Sequence, residues 1–322
     1  MGRIQTVDFS KVTLEELEAI FNNPPHRYNT MSPMLNKMIG GWKENSFNLL
    51  VSSSGTGKSM MCFSNIAHGF ASKLYVDGKW VDNKGLNENK VLYIGTHMDL
   101  HDKCLHQIAC CIGGLDYNRF LEGEFTEEED ARYYEALKIF CNDGKIYLKD
   151  CKDYDSNILK AMVESDDFKT VFIDCLEVAP SLGAFDLEML ARFCKHTLAK
   201  SMNRAIIATA QANTSLERKK LSEISSDYID VSNCLHHKAD TLLFLVKGSQ
   251  EDSIRLAKAN PDKTFPELEP ERIRKILLRD KVKNCYAPSG TCLWGYFDNT
   301  LRWHDLFVTD SDYKLVNLDD VI

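Results

Sequence analysis

The chain has 322 residues, a formal net charge of −8 and 44% hydrophobic residues, a composition ordinary for a globular protein of one large domain or two smaller ones. A net acidic balance excludes a surface that adheres to nucleic acid everywhere, which would need clustered Lys and Arg, but leaves room for a local basic groove. No apolar run approaches about 18 residues and no charged-then-apolar leader spans Met1 to Phe21, so the chain reads as intracellular, with no membrane segment. Its eleven cysteines show neither Cys-x-x-Cys nor zinc-type spacing and read as free, mostly buried thiols in a reducing compartment.

In chain order, the first predicted element is a short helix, Thr13–Phe21, with a Thr cap, Glu16 in capping-box position and a stop at Pro24-Pro25. From about residue 46, apolar β-branched runs alternate with helical stretches, the pattern of a parallel sheet flanked by helices. The strand candidates are Phe47–Ser52, Val91–Thr96, Lys145–Asp150, Thr170–Asp174, Ala205–Ala210, Thr241–Val246 and Lys275–Arg279. Asp77-Gly78, flanked by alternating apolar residues, predicts a hairpin over Leu74–Val81, and Cys292–Leu306 reads as a second hairpin turning at Asp298-Asn299. The acidic stretches Leu121–Asp130 and Pro266–Pro270 are expected in solvent. Without repeats or a low-complexity linker, one wound domain is the expectation.

The stretch "VSSSGTGKSM", Val51 to Met60, carries the chemistry. A phosphate loop needs a strand, a turn of small residues whose N–H groups point inward, a Lys for the β and γ phosphates, a hydroxyl for Mg²⁺ and a helix N-terminus. Phe47–Ser52 supplies the strand and Ser53, Ser54, Gly55, Thr56 and Gly57 the turn. Lys58 and Ser59 are the ligand contacts, with Met60 opening a helix whose Phe63, Ile66, Ala67 and Phe70 share one face. Ser52 stands where such loops usually open with Gly. Asp174 ends a buried apolar strand, where a carboxylate is costly unless paired or set beside a metal's water shell, and is the candidate Mg²⁺-side carboxylate. Gln211 and Asn213 follow another strand at the edge where ligands bind in such sheets; Gln211 is the candidate γ-phosphate sensor.

Together these stretches resemble the C-terminal ATPase domain of DnaB-like replicative helicases, especially those of tailed phages, within the RecA-like branch of phosphate-loop proteins. The likeness runs from about Tyr28 to Leu306. It opens in "MSPMLNKMIGGWKENSFNLLVSSSGTGKSM" and passes through "VLYIGTHMDL", "VFIDCLEV", "ATAQAN", "HKADTLLFLV" and "ILLRDKVKN" in family order. The loop's first position varies in that family, so Ser52 is a permitted departure. The resemblance implies a RecA-like α/β fold and ATP with Mg²⁺ bound between the subunits of a ring, usually a hexamer. It also implies single-stranded DNA in the central channel, and a primase, polymerase or helicase loader as partner.

Two positions depart from the pattern. Where the family usually places a water-activating Glu, this chain has His97; a neutral imidazole can act as base but lacks the fixed charge that orients water, and Asp99 or Glu177 is a possible substitute. Where the family tends to place Lys and then an Arg finger acting in trans, this chain has Arg279 and then Lys281, and only Arg offers a planar two-pronged contact. Nucleic-acid contact is expected on the loops after the Asp174 strand and after Gln211, with Arg218, Lys219, Lys220 and Lys238 as the cations of the second, Asn213 to His237 and just beyond. Family members usually carry an N-terminal collar domain; here about 30 residues precede the opening segment. The expected organisation is a tether with a linker helix over 1–30, the ATPase domain over 31–309 and a tail over 310–322. Two other readings are a RecA-type recombinase that forms filaments and a low-turnover nucleotide-dependent loading module.

Overall fold

The computed structural model describes residues 13, 24–96, 103–151, 155–176, 184–212, 216–229, 234–265, 269–282 and 285–320. The helix expected over Thr13–Phe21 lies outside them, as do residues 266–268 of the second acidic stretch. The strands are β1 (Arg27–Tyr28), β2 (Trp42–Lys43), β3 (Ser46–Ser52), β4 (Lys73–Val76), β5 (Lys79–Asp82), β6 (Lys90–Gly95), β7 (Ile146–Asp150), β8 (Phe168–Asp174), β9 (Ala205–Gln211), β10 (Thr241–Lys247), β11 (Ile273–Val282), β12 (Cys292–Phe297) and β13 (Trp303–Thr309). The α-helices are α1 (Pro33–Ile39), α2 (Lys58–Phe70), α3 (Leu105–Gly113), α4 (Tyr117–Glu122), α5 (Glu127–Asn142), α6 (Ser156–Glu164), α7 (Ala184–Phe193), α8 (Cys234–Lys238) and α9 (Gln250–Ala259).

Runs such as Leu49–Val51 and Val171–Ile173 are apolar on both faces because both faces of their strands are covered. The resulting nine-stranded sheet has the order β13-β12-β11-β10-β3-β9-β8-β6-β7. From β10 to β7 neighbours pair in parallel, and β11, β12 and β13 extend it antiparallel. One core lies on the face covered by α1, α2, α3 and α5, and includes Phe63, Phe70, Ile108 and Trp42. The other gathers Phe47, Leu159, Leu190 and Leu235 on the opposite face. The face foreseen for the phosphate-loop helix is there, with Phe63, Ile66, Ala67 and Phe70 all fully buried. No helix among the described residues is long and apolar enough to cross a membrane.

The hairpin at Asp77-Gly78 forms between β4 and β5, both turn residues in left-handed backbone (φ 50° and 77°). The second hairpin is no appendage. Its first strand, β12, pairs with β11, which extends the main sheet across an edge that would otherwise present unpaired backbone groups. Its loop spans residues 298–302, closed where Asp298 N donates to the Arg302 carbonyl (3.0 Å), and β13 continues to Thr309 rather than Leu306.

Leu121–Asp130 is mostly exposed and contains the capping box of α5, Thr126 with Glu129. The tail folds back on the domain: Leu315 bridges to Thr309, Tyr313 and Leu318 are buried, and Asp319 pairs with Lys37 on α1 (2.6 Å). The ten cysteines whose side chains are described form no disulfide.

Candidate nucleotide site

Ser52 is the last residue of β3, in register with Gln211 of β9. It is fully buried, and its hydroxyl donates to the Ser53 carbonyl (3.1 Å). The serine therefore belongs to the strand, and the turn is left to Ser53–Gly57. That turn requires left-handed backbone at Gly55 (φ 69°) and Gly57 (φ 116°), a region that glycine enters without steric cost. Gly57 caps α2 with no side-chain bond, so the free N–H groups and positive dipole end of this helix remain available to an anion.

The turn borders a cavity of about 370 Å³. One wall is the loop and first helical turn, Ser54, Gly55, Gly57, Lys58, Ser59 and Met60; the other is Gln107, Asp174, Cys175 and Gln211. These residues meet because β3, β9 and β8 are adjacent parallel strands, so their carboxyl ends open on the same side. The Lys58 ammonium rests on the carbonyls of Ser52 (3.2 Å) and Ser53 (3.4 Å). Thr56 points inward: its side chain is buried, and its hydroxyl has no hydrogen-bond partner among the described residues.

Asp174 ends β8, nearly buried. Tyr93 of β6 donates its hydroxyl to Oδ2 (2.8 Å), and Thr209 of β9 donates to Oδ1 (2.6 Å). Burial, and then the neighbouring Asp174 carboxylate, push the Tyr93 phenol well above its ordinary pKa, which keeps it a neutral donor. The strand end is fixed as well. Thr96 N donates to the Asp174 carbonyl (2.9 Å) and its hydroxyl accepts from Cys175 N (2.9 Å); the Asp174–Cys175 peptide is cis.

This donor set fits a magnesium nucleotide: a helix N-terminus, two left-handed glycines, a lysine, a serine hydroxyl and a carboxylate face one space. A second groove of about 410 Å³ shares Met60 and Gln107 with the first and continues to Tyr117, Arg272, Phe297 and Asn299. The Phe297 ring edge lies 3.4 Å from where a Cβ on Gly57 would sit. Arg274 Nε donates to the Thr56 carbonyl (2.8 Å). Sequence reasoning did not single out Gln107, Tyr93, Thr209, Arg274 or Phe297, since none stands in a motif. His97, Asp99, Glu177 and Asn213 lie outside the described residues, as does the Lys281 side chain.

The model of the DnaB-like helicase C-terminal domain matches residues 29–275. The chain belongs to that family. The fold is that of a RecA-like ATPase domain, as two solved structures show. The G40P ATPase domain superposes with a TM-score of 0.69 at 16% identity, over 94% of this chain and 100% of that one. A DnaB-like replicative helicase, described together with its interactions with primase, gives 0.66 at 16% identity over 90% of this chain. The DnaB-like chain described here spans 66% of that helicase's length. Among curated protein sequences none matches it.

Of the cations expected elsewhere in this DnaB-like domain, Arg279, Lys219, Lys220 and Lys238 are engaged within the chain. Arg279 donates from Nε to the Ile224 carbonyl (2.7 Å) and from a terminal nitrogen to the Ser222 carbonyl (2.6 Å). The segment 216–229 folds into two short 3₁₀ turns, with Leu216, Leu221, Ile224 and Ile229 buried. On it Arg218 is exposed, the Lys219 ammonium lies over the Tyr228 ring (5.2 Å), and Lys220 approaches Glu223 (3.8 Å). Lys238, at the end of α8, is 4.0 Å from Glu188.

Proposed function

We propose that the chain is the motor of a replicative DNA helicase: a ring, usually hexameric in form, that hydrolyses ATP between subunits and translocates on single-stranded DNA. The observation that carries this is the convergence of Lys58, Ser59, Asp174 and Gln211 on one cavity in a chain of the DnaB-like family. Lys58 and the α2 N-terminus bind the β and γ phosphates, and Ser59 supplies a hydroxyl to Mg²⁺. Asp174 orders the ion's water, and Gln211 reports the γ-phosphate. Mg²⁺, when bound, neutralises charge developing on the transferred phosphoryl group. His97 or Asp99 orients the attacking water, with Glu177, which follows the Asp174 strand in sequence, as the substitute. Phe297 and Tyr117, which line the adjoining groove, take the base there.

Arg279 and Lys281 serve the neighbouring subunit's site in this reading, which asks Arg279 to exchange its two carbonyl partners for phosphate oxygens. Arg218, Lys219, Lys220 and Lys238 track the DNA backbone without reading bases. A primase is the partner proposed first, because a structurally similar helicase is described with one. The deciding experiment is strand displacement on a forked duplex. Wild-type protein with ATP and Mg²⁺ is expected to separate the strands and the Lys58→Ala variant to fail; no displacement and no DNA-stimulated ATPase by the wild type overturns the reading.

A further inference from the structure

Asp174 is held more tightly than its strand-end position requires. β8 lies between β6 and β9, and each neighbour sends one hydroxyl to it: Tyr93 to Oδ2 at 2.8 Å and Thr209 to Oδ1 at 2.6 Å. Tyr93 and Thr209 are both fully buried, and Asp174 alone of the three lines the cavity with Lys58, Ser59 and Gln211. A carboxylate oxygen has two lone pairs. With one on each oxygen taken by a buried hydroxyl, the carboxylate plane is fixed and the remaining pairs are left to whatever occupies the cavity.

The Tyr93 ring is itself held. It contacts Phe63 (centroids 5.3 Å apart), which lies on α2 little more than a turn beyond Lys58 and Ser59. One rigid path thus runs from the phosphate-loop helix through Phe63 and Tyr93 to the carboxylate.

We propose that Tyr93 and Thr209 are positioning residues for the divalent cation of the nucleotide site, acting through Asp174 by fixing which lone pairs face the metal's water shell. This rests on reading Asp174 as the metal-side carboxylate. Neither residue touches nucleotide; their role is to set the orientation of a group that does. Outer-shell partners of metal-site groups, when removed, typically weaken metal binding by about ten- to a hundredfold; with a water between carboxylate and ion, the lower end is expected.

The test is Mn²⁺ binding in the presence of ADP, followed by the electron paramagnetic resonance of free Mn²⁺, which needs no turnover. Tyr93→Phe keeps the ring and its packing, and Thr209→Val keeps the β-branched shape; each is expected to raise the Mn²⁺ dissociation constant about tenfold. Thr209→Ser, which retains the hydroxyl, is expected to bind as the wild type does. The Mg²⁺ concentration for half-maximal ATPase should rise in parallel while kcat at saturating Mg²⁺ changes little. If both hydroxyl deletions, folded by circular dichroism, bind Mn²⁺ as the wild type does, the positioning role is overturned and the nucleotide site stands. If the wild type shows no ADP-dependent Mn²⁺ binding, the nucleotide-site reading falls and this inference with it.

Discussion

Arg274, on the first antiparallel strand of the sheet, donates from Nε to the carbonyl of Thr56 at the centre of the phosphate loop (2.8 Å). The same guanidinium donates from one terminal nitrogen to the carbonyls of Glu271 (2.6 Å) and Ile273 (3.0 Å), so the loop is tied to β11 through a planar group held at three points. A hydrogen bond from a charged donor contributes about 1.5–3 kcal/mol, roughly ten- to a hundredfold in binding if lost. Arg274→Ala is therefore expected to weaken ATP binding at least about tenfold with the fold intact. Titration with a fluorescent nucleotide measures it. Arg274→Lys should recover little, because an ammonium cannot meet three carbonyls in one plane.

Arg279 is bound to Ile224 and Ser222 within its own chain, on the segment that carries Arg218, Lys219 and Lys220. Removing it leaves two carbonyls to water and unties the segment from β11. Hydrogen exchange of amides in 216–229 should quicken about tenfold in Arg279→Ala, while protection of β3 and β9 stays as in the wild type. Unchanged exchange would mean that the buried Leu216, Leu221 and Ile224 hold the segment unaided.

Lys275 on β11 is fully buried and its ammonium meets Asp252 of α9 at 2.6 Å, with the Trp294 ring 5.7 Å away. Asp252 also accepts from Tyr313 (2.8 Å), which pins the tail. Breaking such a pair from one side strands a buried charge, at a cost of about 3–5 kcal/mol. Lys275→Met is expected to lower the unfolding free energy by that amount in urea denaturation, and the further change Asp252→Asn, which removes the stranded charge and keeps an acceptor oxygen, to restore part of it.

His68 on α2 has its pKa lowered to about 4, chiefly by burial and then by the nearby Arg302 guanidinium. Its Nδ1 meets the Ser64 carbonyl (2.9 Å), which suits the neutral ring donating. In the unfolded chain an ordinary histidine takes up its proton near pH 6.5, so between about pH 6.5 and 4 the unfolded state holds the extra proton. The stability contributed by neutral His68 is full above that range and is lost as pH falls through it. His68→Phe should make the pH dependence of stability in this range shallower by up to one proton, read from denaturation midpoints at several pH values.

Much of the fold was legible because the signals are local. Seven strands were expected and all seven form; the central ones were plain because a strand covered on both faces reads as a near-continuous apolar run. Asp77-Gly78 gave its hairpin because the turn itself demands left-handed backbone. In the candidate site, Lys58, Ser59, Asp174 and Gln211 could be named because a phosphate loop and two strand ends are short patterns, and the structure brings the four to one cavity. The strands of the second hairpin were seen as a pair, but their membership of the main sheet was not, because pairing with β11 leaves no mark in the hairpin's own residues. The tail gave no sign that Tyr313 would reach Asp252, 61 residues away.

The sequence by itself determined the phosphate loop, the parallel core and the family, since turn chemistry, hydrophobic period and motif order are all written within a few residues of one another. Only the tertiary structure decided what surrounds the loop. Tyr93 meets Asp174 across 81 residues and Arg274 meets Thr56 across 218. Such contacts depend on which strands become neighbours, and a hydroxyl or guanidinium on a strand carries no local signal of the partner it will find across the sheet.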